Sequence, residues 1–413
     1  MPSRAPRLRN LPVTTSGTVL IHADFLLAGI VMTFLGPMLP ILAARWGISD
    51  AVAGRLFLTQ FISSMFGMML SSVLVQRKGY RATLILGLVL MAAGMTLLAS
   101  GPFLLGIAAV ATLGVGHGLT TPAGNLRTAE INPHRSASAL NVINAVWGIG
   151  ALSPSFFIGI ARHAGRPEWF LYGAAALLLP LLLFFALSRF EPDTPRATEN
   201  AQPGTKSVLS HQLLVPVALL LFFYVGTEVA FGQWIATFAH RVNPSAPNSW
   251  TQNSWTMMAS LFYGSLLAGR IVAPLALRRV RATTLAECGL SLAVLGGLAF
   301  LKAHGMGLVA AGALLTGLGL SSVFPISVSL FVTWFGDSAR RASGPVFAMG
   351  NMGGAVLPWL VGVVSTHSGS LRLAFCVPLI GAVFMLGFYL FGQSKTKSFA
   401  TEATEFRRGT QQK

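Results

Sequence analysis

Apolar residues occur in long runs along this chain, and polar positions collect between the runs. Each run approaches the ~20 residues that a helix needs to cross ~30 Å of hydrocarbon. None shows the ~10-residue alternation of a transmembrane β-strand, and a chain in lipid must satisfy its backbone within the segment, so helices are predicted. Hydropathy places twelve of them, at 17–44, 52–75, 81–100, 103–127, 137–161, 167–189, 211–239, 252–276, 282–301, 306–332, 343–365 and 371–392. The expected organisation is a tail (1–16), a six-helix half (17–189), a polar, Pro-rich linker (190–210), a second six-helix half (211–392) and a second tail (393–413). The first run carries His22 and Asp24 and is longer than a signal-peptide core, so it is expected to stay as a span.

Composition agrees with a bilayer protein. Of 413 residues, 53% are hydrophobic and only 10% charged, against about 25% charged in a typical soluble domain. The net charge of +17 could suggest nucleic acid. The basic residues lie instead in short clusters between spans, with no basic stripe interleaved with aromatics, so no nucleic-acid partner is expected. With the N-terminus placed in the cytoplasm, 22 of the 29 Lys and Arg fall on the cytoplasmic side, the bias that orients multi-span proteins. Cys288 and Cys376 both lie in spans, and no disulfide is expected. No H-E-x-x-H, Cys/His cluster or nucleophile elbow is present, so neither enzyme chemistry nor a metal or other cofactor is expected.

The halves repeat each other at an offset near 200 residues. "KGYRATL" (78–84) corresponds to "RRVRATTL" (278–285), "GVGHGLTTP" (114–122) to "GLGLSSVFP" (317–325), "RSAS" (135–138) to "RRAS" (340–343), and "GALSP" (150–154) to "GAVLP" (354–358). Four matches in order indicate a parallel repeat of two six-helix units.

Two such halves, with a basic loop after spans 2 and 8, resemble the major facilitator superfamily. In the loop signature G-x-L-a-D-r-x-G-r-r/k, Arg77, Gly79 and Arg81 fit, while Ser72 replaces the first glycine and Gln76 the aspartate. Within the superfamily, "LGPMLPILAARWGISDAVAG" (35–54), "PAGNLRTAE" (122–130), "YVGTEVAFGQW" (224–234) and "FAMGNMGGAVLPWLVG" (347–362) resemble the fucose–galactose–glucose symporter group, which includes sodium-dependent glucose transporter-like proteins. The resemblance implies an all-α, twelve-span fold in two pseudo-symmetric halves and a monomer in the cell membrane with both termini cytoplasmic. It also implies symport of a hexose with a proton or sodium ion.

Ionisable groups at bilayer depth are costly, ~2.5–3.5 kcal/mol on insertion scales, and they usually face a cavity or a partner. Glu228 is the deepest carboxylate, with Tyr224 (i−4) and Gly232 (i+4) on its face. It is expected to bind substrate hydroxyls, a coupling cation, or both. The competing reading is a carboxylate satisfied by a neighbouring helix. Asp24 in span 1 is a second expected cation site, against which stand a partnership with Arg127 and a hydrated position near the inner mouth. His117, Thr121 and Asn125 form one stripe of span 4, and Asn141, Asn144 and Gly148 one face of span 5. Amides suit vicinal hydroxyls because they both donate and accept, and Trp147 could stack on a pyranose. For the asparagines helix–helix bonding competes with this reading, and for Trp147 and His117 packing does. Trp234 points away from Glu228 on an ideal helix and would join a cavity only if the helix broke near Gly232. Tyr263 and Asn351 are further candidate lining. Glu130 is expected to form a gate pair with Arg77 or Arg81, with Asp337 analogous beside Arg278. Competing functions are export of drugs or amphiphiles and, in a different class, a membrane receptor or scaffold that transports nothing.

Overall fold

The computed structural model describes residues 15–132, 135–187, 213–242, 254–336 and 339–391. Residues 1–14, the 190–210 linker, the 393–413 tail and Asp337 lie outside the described residues. Among the described residues the structure is helical, with no strand. Ten helices are long and apolar enough to cross a bilayer, and a bent pair, Gly17–Thr33 and Leu35–Trp46, makes another crossing with a 42° break (span 1).

Asp50–Ser100 has 51 residues, which as one straight helix would run ~77 Å at 1.5 Å per residue, far more than one crossing. It turns back at Gly79, whose φ of 80° favours glycine, so its two arms are spans 2 and 3. Spans 4 to 9 are Phe103–Ile131, Ser138–His163, Glu168–Leu187, Leu214–Val242, Ser254–Ala276 and Ala282–Lys302. Spans 10 to 12 are Met306–Phe335, Ala342–Ser368 and Leu371–Phe391. The twelve predicted spans are therefore present. Prolines explain some irregularity: span 5 is interrupted at Ser153 before Pro154, and span 10 at Ser322, three residues before Pro325. One end of the bundle, the basic end, carries Arg77, Lys78, Arg81, Arg278, Arg279 and Arg281. The other is here the far end.

The repeat is visible as packing. A Cβ on Gly114 would strike Ser63 Oγ and the Gln60 carbonyl, and one on Gly317 would strike Ser265 Oγ and the Phe262 carbonyl. Gly87 and Gly116 meet between spans 3 and 4 as Gly289 and Gly319 meet between spans 9 and 10. Small residues allow this close approach, and close packing is what holds helices together in lipid. Gly118 presses its Cα hydrogens onto the Ser64 carbonyl and Gly67. Gly118→Leu is expected to lower the melting midpoint of the purified protein, because overpacking costs about 1–3 kcal/mol or more. Gly173→Leu, where nothing lies within 4 Å of the added Cβ, should leave the midpoint unchanged.

Hydrogen bonds and ion pairs between described residues of the two halves are confined to the middle and far end. Asp50 receives Arg241 at 2.6 and 2.8 Å and Ser365 Oγ at 2.5 Å, and the Ala51 amide donates to Thr366 Oγ1 at 2.8 Å. Gln233 Nε2 donates to the Met32 carbonyl at 3.1 Å, and Ser260 Oγ to the Leu152 carbonyl at 2.5 Å. Arg162 lies over the Trp255 ring at 5.1 Å. Glycines line this seam: Gly36 lies against Gln233, Gly54 against Trp359, Gly148 against Leu267, Gly354 against Phe61 and Gly362 against Asp50. Toward the basic end the halves part, leaving Asn141 and Asn144 exposed on span 5.

Candidate functional site

Glu228 is the middle residue of the 29-residue helix of span 7. Its carboxylate meets Arg270 of span 8, whose Nη2 lies 3.3 Å from Oε2 and 3.5 Å from Oε1. The same Nη2 donates to Tyr224 Oη at 3.3 Å, and that hydroxyl donates to the Leu320 carbonyl of span 10 at 3.3 Å. Helix direction favours this arrangement. Side chains tilt toward the N-terminus of their helix, and spans 7 and 8 are antiparallel. Glu228 therefore leans toward the basic end while Arg270, set nearer that end, leans back toward it. Arg270 lies near the basic end of its helix, and the structure makes it the partner of Glu228.

The glycine on the Glu228 face has a physical role. Tyr263 Oη lies against Gly232, where a Cβ would clash with it. The spacing Tyr263, Leu267, Arg270 forms one face of span 8. Leu267 touches Gly148 of span 5, so that face looks at the face of span 5 carrying Asn144 and Asn141, one and two turns closer to the basic end. Both asparagines are exposed, and Asn144 spends one donor on the Leu140 carbonyl of its own helix at 2.7 Å. Glu228 and Arg270 keep 13% and 28% of their side-chain surface exposed. A cleft open at the basic end thus has the Glu228–Arg270 pair on one wall and two amides on the other, while Tyr224, expected to meet substrate, is 1% exposed and braces Arg270 from behind. Phe324 lies over Tyr224 with ring centres 5.3 Å apart, and Phe347 follows at 6.4 Å.

The other expected residues divide. Trp147 is partly buried against the core. Asn125 is half-buried, and Asn351 donates to its own helix at Phe347 O, 3.2 Å. Two expectations need correction as regards position. Span 7 does not break near Gly232, and Trp234 is fully buried, with its indole donating to the Pro358 carbonyl at 2.8 Å and its ring 5.7 Å from Phe57. It seals the halves rather than lining the cleft. His117 is buried between spans 4 and 2, its Nδ1 3.2 Å from Ser64 Oγ and its Nε2 3.3 Å from Thr121 Oγ1. Both ring nitrogens are therefore engaged in helix packing.

The expected gate pair also differs. Glu130 accepts Tyr80 Oη at 2.8 Å and lies 3.6 Å from Arg127, whose guanidinium covers the Tyr80 ring at 5.5 Å. Arg81 donates to the Phe185 and Ala186 carbonyls of span 6, and Arg77 and Arg278 are exposed. Proximity explains the exchange: Arg127 is one turn from Glu130 on the same helix. Arg127 therefore does not partner Asp24. Asp24 is 0% exposed, and neither carboxylate oxygen has a hydrogen bond among the described residues. No group of three or more His, Cys, Asp or Glu that could hold a metal ion occurs among the described residues.

The model of the Major Facilitator Superfamily matches residues 25–302. A provisionally named glucose/galactose transporter of Helicobacter pylori is 30% identical over 232 residues, covering 54% of this chain and 53% of that protein. The chain thus matches about half the length of that curated relative. Among solved structures, the nucleoside transporter NupG aligns with a TM-score of 0.74 at 15% identity, over 91% of this chain and 98% of that one. A D-xylose–proton symporter aligns with 0.71 at 14% identity, over 90% and 96%. At these identities both show the fold alone.

Proposed function

Because the chain belongs to the major facilitator superfamily, a family of membrane transporters, we propose that it is a secondary transporter moving a hexose such as glucose, galactose or fucose by cation-coupled symport. The observation that carries this reading is the cleft: the Glu228–Arg270 pair on one wall, braced by buried Tyr224, and Asn141 and Asn144 on the other. Carboxylate, guanidinium and amide groups together offer acceptors and donors in number, which is what a ring of hydroxyls requires. The glucose/galactose transporter name of the Helicobacter pylori relative supports the substrate class.

The coupling ion is a proton, and Asp24 carries it. Glu228 already has its charge answered by Arg270, whereas Asp24 is buried with both oxygens unpartnered. A buried, isolated carboxyl can shed its charge by taking a proton, and intramembrane acids commonly relay protons. The basic end faces the cytoplasm, in line with the charge bias, and the halves rock about the central site to alternate access.

The test is uptake of labelled D-glucose and D-galactose into proteoliposomes under an inward proton gradient, an inward sodium gradient, or neither. Accumulation under the proton gradient is expected, with Glu228→Gln reducing uptake at least tenfold, a loss of ~1.4 kcal/mol or more. Accumulation under sodium alone would overturn the proton assignment. Failure of a full hexose panel, with export of amphiphiles instead, would overturn the sugar reading.

A further inference from the structure

The Glu228–Arg270 pair has a property that neither member has alone: it carries no net charge. An arginine within an apolar helix is costly, and Glu228 by itself would draw any cation into the cleft. Together they present opposite charges 3.3 Å apart. The pair is also incompletely used. Among the described residues Arg270 engages Glu228 and Tyr224 through Nη2 only, which leaves Nη1 and Nε without a partner, and the side chain is 28% exposed. A guanidinium is a fixed fork of donors, and a carboxylate is an acceptor only.

We infer that the Glu228–Arg270 pair is the charge filter of the cleft, and that it selects an uncharged molecule with neighbouring hydroxyls. One hydroxyl donates to the carboxylate while its neighbour accepts from the free guanidinium nitrogens, so the ligand completes the pair without disturbing its neutrality. A sugar acid is attracted by Arg270 but repelled by Glu228, and an amino sugar meets the reverse. Either must break the pair to bind, and the displaced partner is then left unpaired at depth. That penalty is the negative element on which specificity depends.

This inference rests on the hexose reading and deepens it. The test is binding of D-glucose, D-glucuronate and protonated D-glucosamine to purified protein, measured by calorimetry. Wild type is expected to favour D-glucose by about tenfold or more over both charged sugars, ~1.4 kcal/mol. Glu228→Gln leaves Arg270 alone and should shift preference toward D-glucuronate. Arg270→Gln leaves Glu228 alone and should shift it toward D-glucosamine. The double variant Glu228→Gln/Arg270→Gln removes both charges and should return the preference to the neutral sugar at lower affinity. Arg270→Lys keeps the charge and should keep the neutral preference.

If either single variant fails to fold, the double and Arg270→Lys variants decide the matter. A double variant that no longer favours the neutral sugar, or an Arg270→Lys that favours a charged one, overturns the filter. Folded single variants with the wild-type preference overturn it too, while leaving the hexose reading intact. Wild-type protein that binds none of the three sugars, nor D-galactose or L-fucose, overturns both readings together.

Discussion

Asp50→Ala is expected to open the far end of the protein. Among the ion pairs of described residues, Asp50–Arg241 is the one that joins the halves, tying span 2 to span 7, with Ser365 of span 11 as a third point of attachment. The Asp50 carboxylate is 11% exposed, but Arg241 is 47% exposed, so solvent screening reduces the value of the pair. Losing the two-pronged contact and the serine bond together should still move the balance between sealed and open far ends by about tenfold, ~1.4 kcal/mol. The measurement is maleimide labelling of Ala53→Cys, a position 0% exposed inside the sealed end, in a background where Cys288 and Cys376 are serine. Labelling should speed up by about tenfold in Asp50→Ala and slow again in the charge-swapped pair Asp50→Arg/Arg241→Asp. An unchanged rate in Asp50→Ala would show that the latch does not hold the far end closed.

Asp24→Asn should separate movement of substrate from its accumulation. If Asp24 carries the coupling proton, a side chain that cannot be charged leaves the binding cleft intact and removes the link to the gradient. Exchange of labelled for unlabelled hexose should continue near the wild-type rate, while accumulation under a proton gradient falls to equilibrium. The same substitution removes an unpartnered buried acid, a type of group that costs ~2.5–3.5 kcal/mol at helix centre on insertion scales, so the melting midpoint should rise. Loss of exchange as well would place Asp24 in substrate binding, and undiminished accumulation would remove it from coupling.

Much of this architecture was legible from residue patterns because lipid imposes a length and a polarity on every crossing. The spans follow from those constraints, and the internal repeat from four segments matched in order at a near-constant offset. The pairing of faces does not. Tyr224, Glu228 and Gly232 could be placed on one stripe of their own helix, but nothing local says which helix that stripe meets. Arg270 was obscured because it lies 6 residues from the basic end of Ser254–Ala276, where arginines ordinarily orient the chain. The spacing Tyr263–Leu267–Arg270, a polar–apolar–polar face opposite the glycine of span 7, was the signal that could have found it. Asp50 and Arg241 are 191 residues apart, beyond any periodicity, and each sits at a helix end where charge is unremarkable. Trp234 and His117 show the converse: both belong to polar-looking stretches, yet a carbonyl and a hydroxyl on neighbouring helices claim them for packing.

The glycines along the seam bear on how easily the two halves come apart. Where interlocked side chains meet, separation leaves sockets and wets large hydrocarbon surfaces. At Gly36, Gly54, Gly148, Gly354 and Gly362 one side of the joint is bare backbone. It has no knob to withdraw, and what it uncovers is largely peptide, which water solvates readily. At these five positions the halves adhere weakly, and Trp234 against Phe57 together with the polar latch at Asp50 supplies the grip that the glycine surfaces lack. In the proposed rocking of the halves, such a design lets a weak, reversible contact control a large movement.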